Sequence, residues 1–433
     1  MAKTAAVLGV YILDQMRGAI RAGTLTRDGD GAVSFVVAES FLRDPTRPIL
    51  SLGWYDPEDD SKTRDRLASR GDKIGLYGTL PPWFSGLLPE GALRELVMSE
   101  MGPGDHDEFD VLTRLGADLP GAVFIVPETG VPPSAGPLDL DSVQGLKATL
   151  PKGAVKFSLA GVQLKFTGNP VGGRLTAPAR GESGRCIIKI ATDRFPGLPE
   201  AEYAAMRMAA MIGVRTARCR LVSRDAVSDV PSELLAHGEN VLVVDRFDRT
   251  EDGARIHIED AGQVIGAVGE RKYTMATTET VINMVRRFSS DHRDDILEAI
   301  RRVVADILLG NGDNHLKNWS FWFPRPEVIR LSPAYDIVPT VLFQPTDTMA
   351  LRFVKTHNFE SVNLHRFERV ASFLQLDPKL ILHEIRTAVI RALETWPSVA
   401  PDLLGEQKAA RLLERLDTLT LVHQIRGGTA KGQ

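Results

Sequence analysis

Apolar residues recur three and four positions apart at Ile296, Ile300, Val303, Val304, Ile307 and Leu308, the period of a helix with one buried face. Gly310 follows as a natural stop. The pattern then changes. Residues 319–323 and 328–331 are short apolar runs on either side of a Pro-containing turn, and they predict a strand pair that returns the chain to Asp336. Between helix and hairpin lies the polar run NGDNHLKN, residues 311–318. Gly, Asn and Asp favour turns for backbone reasons, and for Asn314 that explanation is enough. For the group it is not, because a solvated turn has no need of a buried helix before it and a second carboxylate brought back behind it.

The same reading organises the rest of the chain. Residues 5–13, 18–25 and 32–37 are apolar runs separated by turn signals and predict a small β-rich unit, followed by short helices over 89–98 and 108–115 and a strand over 121–126. Residues 127–145 are rich in Pro, Gly and Ser and read as a linker or a surface excursion between domains. Beyond it come a Gly-containing pair of strands over 156–175, a strand over 185–190 with one lysine, Lys189, and a helix opening at Pro199 with Glu200 and Glu202 in its first turn. A further apolar strand, 241–244, ends at Asp245 and Phe247. After residue 331 the spacing is helical over 362–376, 379–396 and 404–425, with Asp-Pro or Pro-rich breaks between. The expected division is 1–145, a β-rich subdomain; 146–250, a smaller lobe; and 251–433, a larger, mostly helical lobe.

Composition adds bounds. A chain of 433 residues exceeds one ordinary core, and 43% apolar with 25% charged residues is ordinary for a globular protein. A net charge of −4 gives no general attraction to nucleic acid. The two cysteines, Cys186 and Cys219, have no metal or redox spacing and read as buried thiols of a reducing cytoplasm. The N-terminal apolar run ends at Asp14 and reads as a strand rather than a leader, and no run is long enough to span a bilayer.

The chemistry lies in the spacing. Asp313 and Asn318 are five apart, as in the catalytic loop of protein kinases, where the Asp accepts the proton of the attacking hydroxyl and the Asn holds a magnesium ion. Asn318 and Asp336 would together supply the hard oxygen ligands that Mg²⁺ takes alongside phosphate. Lysine is seldom buried unpaired, so Lys189 either faces solvent or faces a cleft where it meets phosphates, with a glutamate of the next helix as partner. His315 reads first as a packing residue of the loop. Lys317 meets either a phosphate or solvent. Gly-containing turn, strand lysine, helix glutamate, hinge strand, catalytic Asp with Asn, and metal Asp occur in the order a kinase requires.

With these residues in hand, the chain resembles the HipA-like serine/threonine kinases, toxins of bacterial toxin–antitoxin pairs. SLAGVQLK (158–165) resembles the family's loop, VVDRFDR (243–249) its hinge, with Asp245 where relatives often have Glu, and IED (258–260) with Gln263 the segment after it. NGDNHLKN and PAYDI (333–337) resemble its catalytic and metal motifs; SGLLPEG (85–91) and LGADLPGAV (115–123) are similar to its N-terminal domain. AEY (201–203) resembles the family's N-E-Y and favours Glu202 over Glu200. The resemblance implies an α+β, two-lobed protein-kinase-like fold with an additional β-rich N-terminal subdomain and an all-helical C-lobe. It implies catalysis by Asp313, Mg²⁺ on Asn318 and Asp336, and ATP contacts from Lys189, Glu202, Asp245, Phe247, Gly161, Gln163, Lys165, His315 and Lys317. It further implies autophosphorylation at Ser158 as an off-switch, an aminoacyl-tRNA synthetase as target, and a helix-turn-helix antitoxin through which the protein meets DNA. A small-molecule phosphotransferase and an inactive co-repressor are the competing readings, opposed respectively by the SLAGVQLK loop with its N-terminal domain and by the intact Asp313, Asn318, Asp336 and Lys189.

Overall fold

The computed structural model describes residues 5–90, 94, 97–98, 101, 104–128, 165–171, 174–176, 184–192, 195–228 and 235–429. Ser158, Gly161 and Gln163 lie outside the described residues. The N-terminal unit is one antiparallel sheet of β1 (Ala6–Asp14), β2 (Gly18–Arg27), β3 (Val33–Val37), β4 (Ile74–Gly75) and β5 (Val123–Pro127), in the order β4-β3-β2-β1-β5. The first apolar run is therefore a strand, with Leu8, Val10 and Ile12 buried on one face. Among the described residues no helix is long and apolar enough to cross a membrane.

The second sheet holds β6 (Lys165–Val171), β7 (Arg174–Thr176), β8 (Cys186–Lys189), β9 (Cys219–Ser223), β10 (Val227–Ser228) and β11 (Asn240–Asp245), in the order β10-β7-β6-β8-β11-β9. Strand alternation gives it two uses. Val241 and Val243 of β11 join the core of the N-terminal sheet, whereas Leu242 and Val244 join the core of the helical lobe. Ile188 and Ile190 also face the N-terminal core, so Lys189 between them points the other way, toward the helical lobe. Both cysteines are free thiols.

The larger lobe is built from the helices Thr278–Phe288, His292–Leu309, Leu364–Phe373, Pro378–Leu404, Glu406–Leu416 and Thr420–Thr429. A small antiparallel sheet is set into it: the anticipated hairpin, β13 (Ser320–Arg325) with β14 (Val328–Leu331), joined by β12 (His257–Asp260). Two details depart from the spacing. Pro397 and Pro401 lie inside the helix Pro378–Leu404 rather than ending it, and 404–425 is two helices rather than one. Tertiary packing carries the helix through the prolines: Trp396 is fully buried with its Nε1 donating to the Met208 carbonyl at 3.1 Å, and Ala400 is buried one turn later.

Polar contacts fix the N-terminal sheet to the rest. Asp248, just after the hinge strand, pairs with Arg246 and Arg249 and accepts the Gly121 N–H at 2.8 Å. Glu259 of β12 is fully buried and accepts from Ser51 Oγ, Leu52 N and Trp83 Nε1 at 2.6, 2.7 and 2.8 Å. Asp260 and Gln263 form a reciprocal capping box on the helix Ala261–Ile265. The IED segment with Gln263 thus serves docking and capping.

Candidate active site

Lys189 is 3% exposed and is flanked by two carboxylates, those of Glu202 and Asp336. Glu202 reaches it from the buried face of the helix Leu198–Met211, which opens with Gly197 at φ +76 and with Pro199 in its first turn. Glu200 points elsewhere and accepts from Asn240 Nδ2 at 3.1 Å. Lys165 stands directly opposite Lys189 in the β6–β8 register, and its Nζ lies 3.1 Å from the other oxygen of Asp336. Like charges so placed repel, and the two acids between them neutralise the set. Burial opposes charge on Asp336, but Lys165 and Lys189 outweigh it and hold its carboxyl far below the usual range. On Lys189 burial is likewise outweighed, by Asp336 and Glu202, and the ammonium is held. Asp336 has φ +55, left-handed backbone that aspartate tolerates better than most residues.

The 311–318 loop is delivered by the helix His292–Leu309, which ends at Gly310 with φ +71; a side chain there would lie 2.3 Å from Val341. Asp306, in the last turn, is buried and accepts the side-chain amides of Asn311, at 2.8 Å, and Asn314. Burial pushes its carboxyl up to about 7. The Asp313 carbonyl accepts the His315 N–H and the Asn318 Nδ2, both at 2.8 Å, so the two named loop residues are locked together. A carbonyl only accepts, so the nitrogen of Asn318 must face it and Oδ1 is the atom left to meet a cation.

Asp313 accepts the Tyr273 hydroxyl at 3.0 Å. Burial raises its carboxyl to about 6 against the pull of that hydrogen bond and of Lys272, while Asp336 and Asp347 push it further up. His315 is fully buried, its ring edge-on to Tyr273 at 5.1 Å between centroids, and burial depresses it to about 3. It is neutral at physiological pH. The Lys317 amine is not left to solvent: it donates to the Gly86 carbonyl at 2.9 Å and lies 3.4 Å from Glu90. At the hinge the Asp245 side chain pairs with Arg220 at 2.8 Å, and Phe247 packs against Tyr335, ring centroids 5.7 Å apart. Among the described residues no three His, Cys, Asp or Glu side chains form a metal cluster; Asp336 and Asn318 each carry an oxygen donor of the kind that a hard cation completed by phosphate oxygens would take. Sequence reasoning passed over Asp306, Tyr273, Lys272 and Glu90. Asp306 carries a physical signal, a carboxylate on the buried face of an apolar helix, and Glu90 lies within the SGLLPEG segment; Tyr273 and Lys272 carry none.

Residues 157–396 match the family described as HipA-like C-terminal domain, and residues 13–126 match the HipA N-terminal domain. A putative kinase of Sinorhizobium fredii, Y4dM, is 36% identical over 416 residues, 94% of this chain and 96% of that one. A second from the same organism, Y4mE, is 28% identical over 403 residues, 88% and 90% of the two chains. In solved structures, the HipA, HipB and operator DNA complex of Shewanella oneidensis MR-1 contains a chain that matches with a TM-score of 0.66 at 19% identity, over 97% of this chain and 99% of that one. That likeness shows the fold, the two-lobed kinase-like architecture with its β-rich N-terminal addition. The two domain matches and the 36% identity over nearly full length show that this chain belongs to the HipA-like family.

Proposed function

We propose that the protein is an ATP-dependent serine/threonine protein kinase acting as the toxin of a toxin–antitoxin pair. The observation that carries this reading is the meeting of Lys189, Glu202, Lys165 and Asp336 at one point, with Asp336 close enough to act on Asp313 across the loop that also holds Asn318. A strand lysine braced by a helix glutamate is what a kinase uses to hold the α- and β-phosphates. Lys189 takes that role, Lys165 adds a second cation, and the hinge backbone beside Asp245 and Phe247 borders the adenine. Asn318 Oδ1 and Asp336 would hold Mg²⁺, which neutralises charge on the transferring phosphoryl group when bound. Asp313 takes the proton of the acceptor hydroxyl; a carboxyl near 6 is half-ready below neutrality and ionised above it.

The protein substrate is an aminoacyl-tRNA synthetase and the partner a helix-turn-helix antitoxin, in keeping with the family; the similar Shewanella protein is seen with HipB and operator DNA. Ser158 phosphorylation, which adds about −1.5 to −2 charges to a loop meant to cover phosphates, switches the enzyme off. The test is Asp313→Asn: phosphotransfer to lysate proteins, followed by mass spectrometry, should fall by ~10²-fold or more while calorimetric nucleotide binding survives. Unaltered turnover would remove Asp313 from the role.

A further inference from the structure

The SGLLPEG segment is left unexplained by phosphotransfer chemistry, yet it ends on the catalytic loop. Gly86 gives its carbonyl to Lys317, and a side chain at Gly86 would lie 2.6 Å from Gln263 Cγ. Glu90 lies 2.6 Å from Lys272 and 3.4 Å from Lys317. Burial opposes its ionisation, but the two lysines outweigh it and hold the carboxyl below its usual range. Lys272 is itself buried. Its neighbour on the same short helix, Arg271–Thr274, is Tyr273, whose hydroxyl donates to Asp313 Oδ1. A carboxylate from the N-terminal domain therefore reaches the catalytic carboxylate in two steps, across 223 positions of sequence between Glu90 and Asp313.

We propose that Tyr273 and Glu90 are positioning residues for Asp313, so that the N-terminal domain forms part of the catalytic apparatus. Tyr273 commits Oδ1 and fixes the carboxylate in one rotamer, which leaves Oδ2 for the acceptor hydroxyl. Glu90 pins Lys272, and with it the helix that carries Tyr273, to the loop's own Lys317. The His315 ring packs edge-on to the Tyr273 ring and is a further contact that holds the phenol. Without the clamp the carboxyl has more than one rotamer open to it, and the acceptor oxygen is no longer held in line with the phosphate.

This inference rests on the kinase reading, and the test separates the two. Full-length protein is assayed for ADP release from MgATP, with Asp313→Asn as reference. Tyr273→Phe removes one hydrogen bond to a charged group and should lower kcat by ~10–100-fold with the KM for ATP little changed. Glu90→Gln should lower kcat in the same direction by a smaller factor, with partial recovery in Glu90→Asp. Because both act on one carboxylate, the double variant should fall little below Tyr273→Phe alone rather than by the product of the two effects. Thermal melting of each variant reports whether the fold is kept. Retained kcat in Tyr273→Phe, or multiplicative effects in the double variant, would overturn the inference while Asp313→Asn stays inactive. An active Asp313→Asn would overturn the kinase reading and the clamp with it.

Discussion

Lys189 sits between two buried acids, and that arrangement changes what its removal should do. Read from the sequence, Lys189→Ala weakens phosphate positioning and leaves the fold alone. In the structure Glu202 is fully buried and would lose the cation that, among the described residues, lies within its hydrogen-bond reach. Breaking a buried pair by deleting one partner costs about 3–5 kcal/mol, because the remaining charge is uncompensated. Urea unfolding of Lys189→Ala should show a loss of that order, and Lys189→Met with Glu202→Leu should recover most of it while remaining inactive. A single lysine in an apolar strand, and an Asp five before an Asn, are visible because each breaks or repeats a local pattern. Tyr273 is not visible, since GERKYT carries no pattern and its relation to Asp313 exists only once the short helix packs on the loop.

Among the elements, those with a strong local signal lie where the spacing places them: the periodic helix ended by Gly310, and the hairpin of two apolar runs around a Pro-containing turn behind it. The helix Pro378–Leu404 did not, because proline is read locally as a breaker whereas burial of Trp396 and Ala400 on either side of Pro397 decides the outcome. Pro397 itself is exposed. Replacing it by alanine restores a backbone donor without disturbing the buried face, so Pro397→Ala should stabilise the protein by roughly 1–3 kcal/mol, seen as a higher Tm. The third strand of the small sheet, β12, has no signature in the sequence; four residues reading HIED lack the apolar run that marks a strand, and their pairing with β13 supplies what propensity does not.

At the scale of the molecule, the seam between the N-terminal sheet and the helical lobe contains a titrating group. Burial, opposed by the three donors it accepts from, raises Glu259 from its ordinary 4.5 to about 7. The folded state therefore keeps a proton that the unfolded chain releases between those values. Its contribution is fully present below about 4.5 and is lost as pH rises through about 7, a decline on the order of 3 kcal/mol. Denaturant midpoints of the wild type should fall across that window more steeply than those of Glu259→Gln, which cannot titrate. The variant starts lower, by about 1–3 kcal/mol, because its amide sets an N–H against one of the donors. A slope unchanged by the substitution would assign the pH dependence elsewhere.

The hinge strand β11 gives alternate residues to two cores, Val241 and Val243 to one and Leu242 and Val244 to the other. A strand shared in this way cannot be released from one core and kept in the other, since losing its place in the sheet frees both faces at once. The protein should therefore melt as a single cooperative unit in spite of its length, with amides of β11 exchanging only through global opening. Cutting the chain in the Pro-rich stretch would yield an N-terminal fragment whose core lacks Val241 and Val243, and that fragment should be insoluble by itself yet recoverable on co-expression with the remainder. The N-terminal unit is, on this view, a wall of the enzyme that happens to be encoded first.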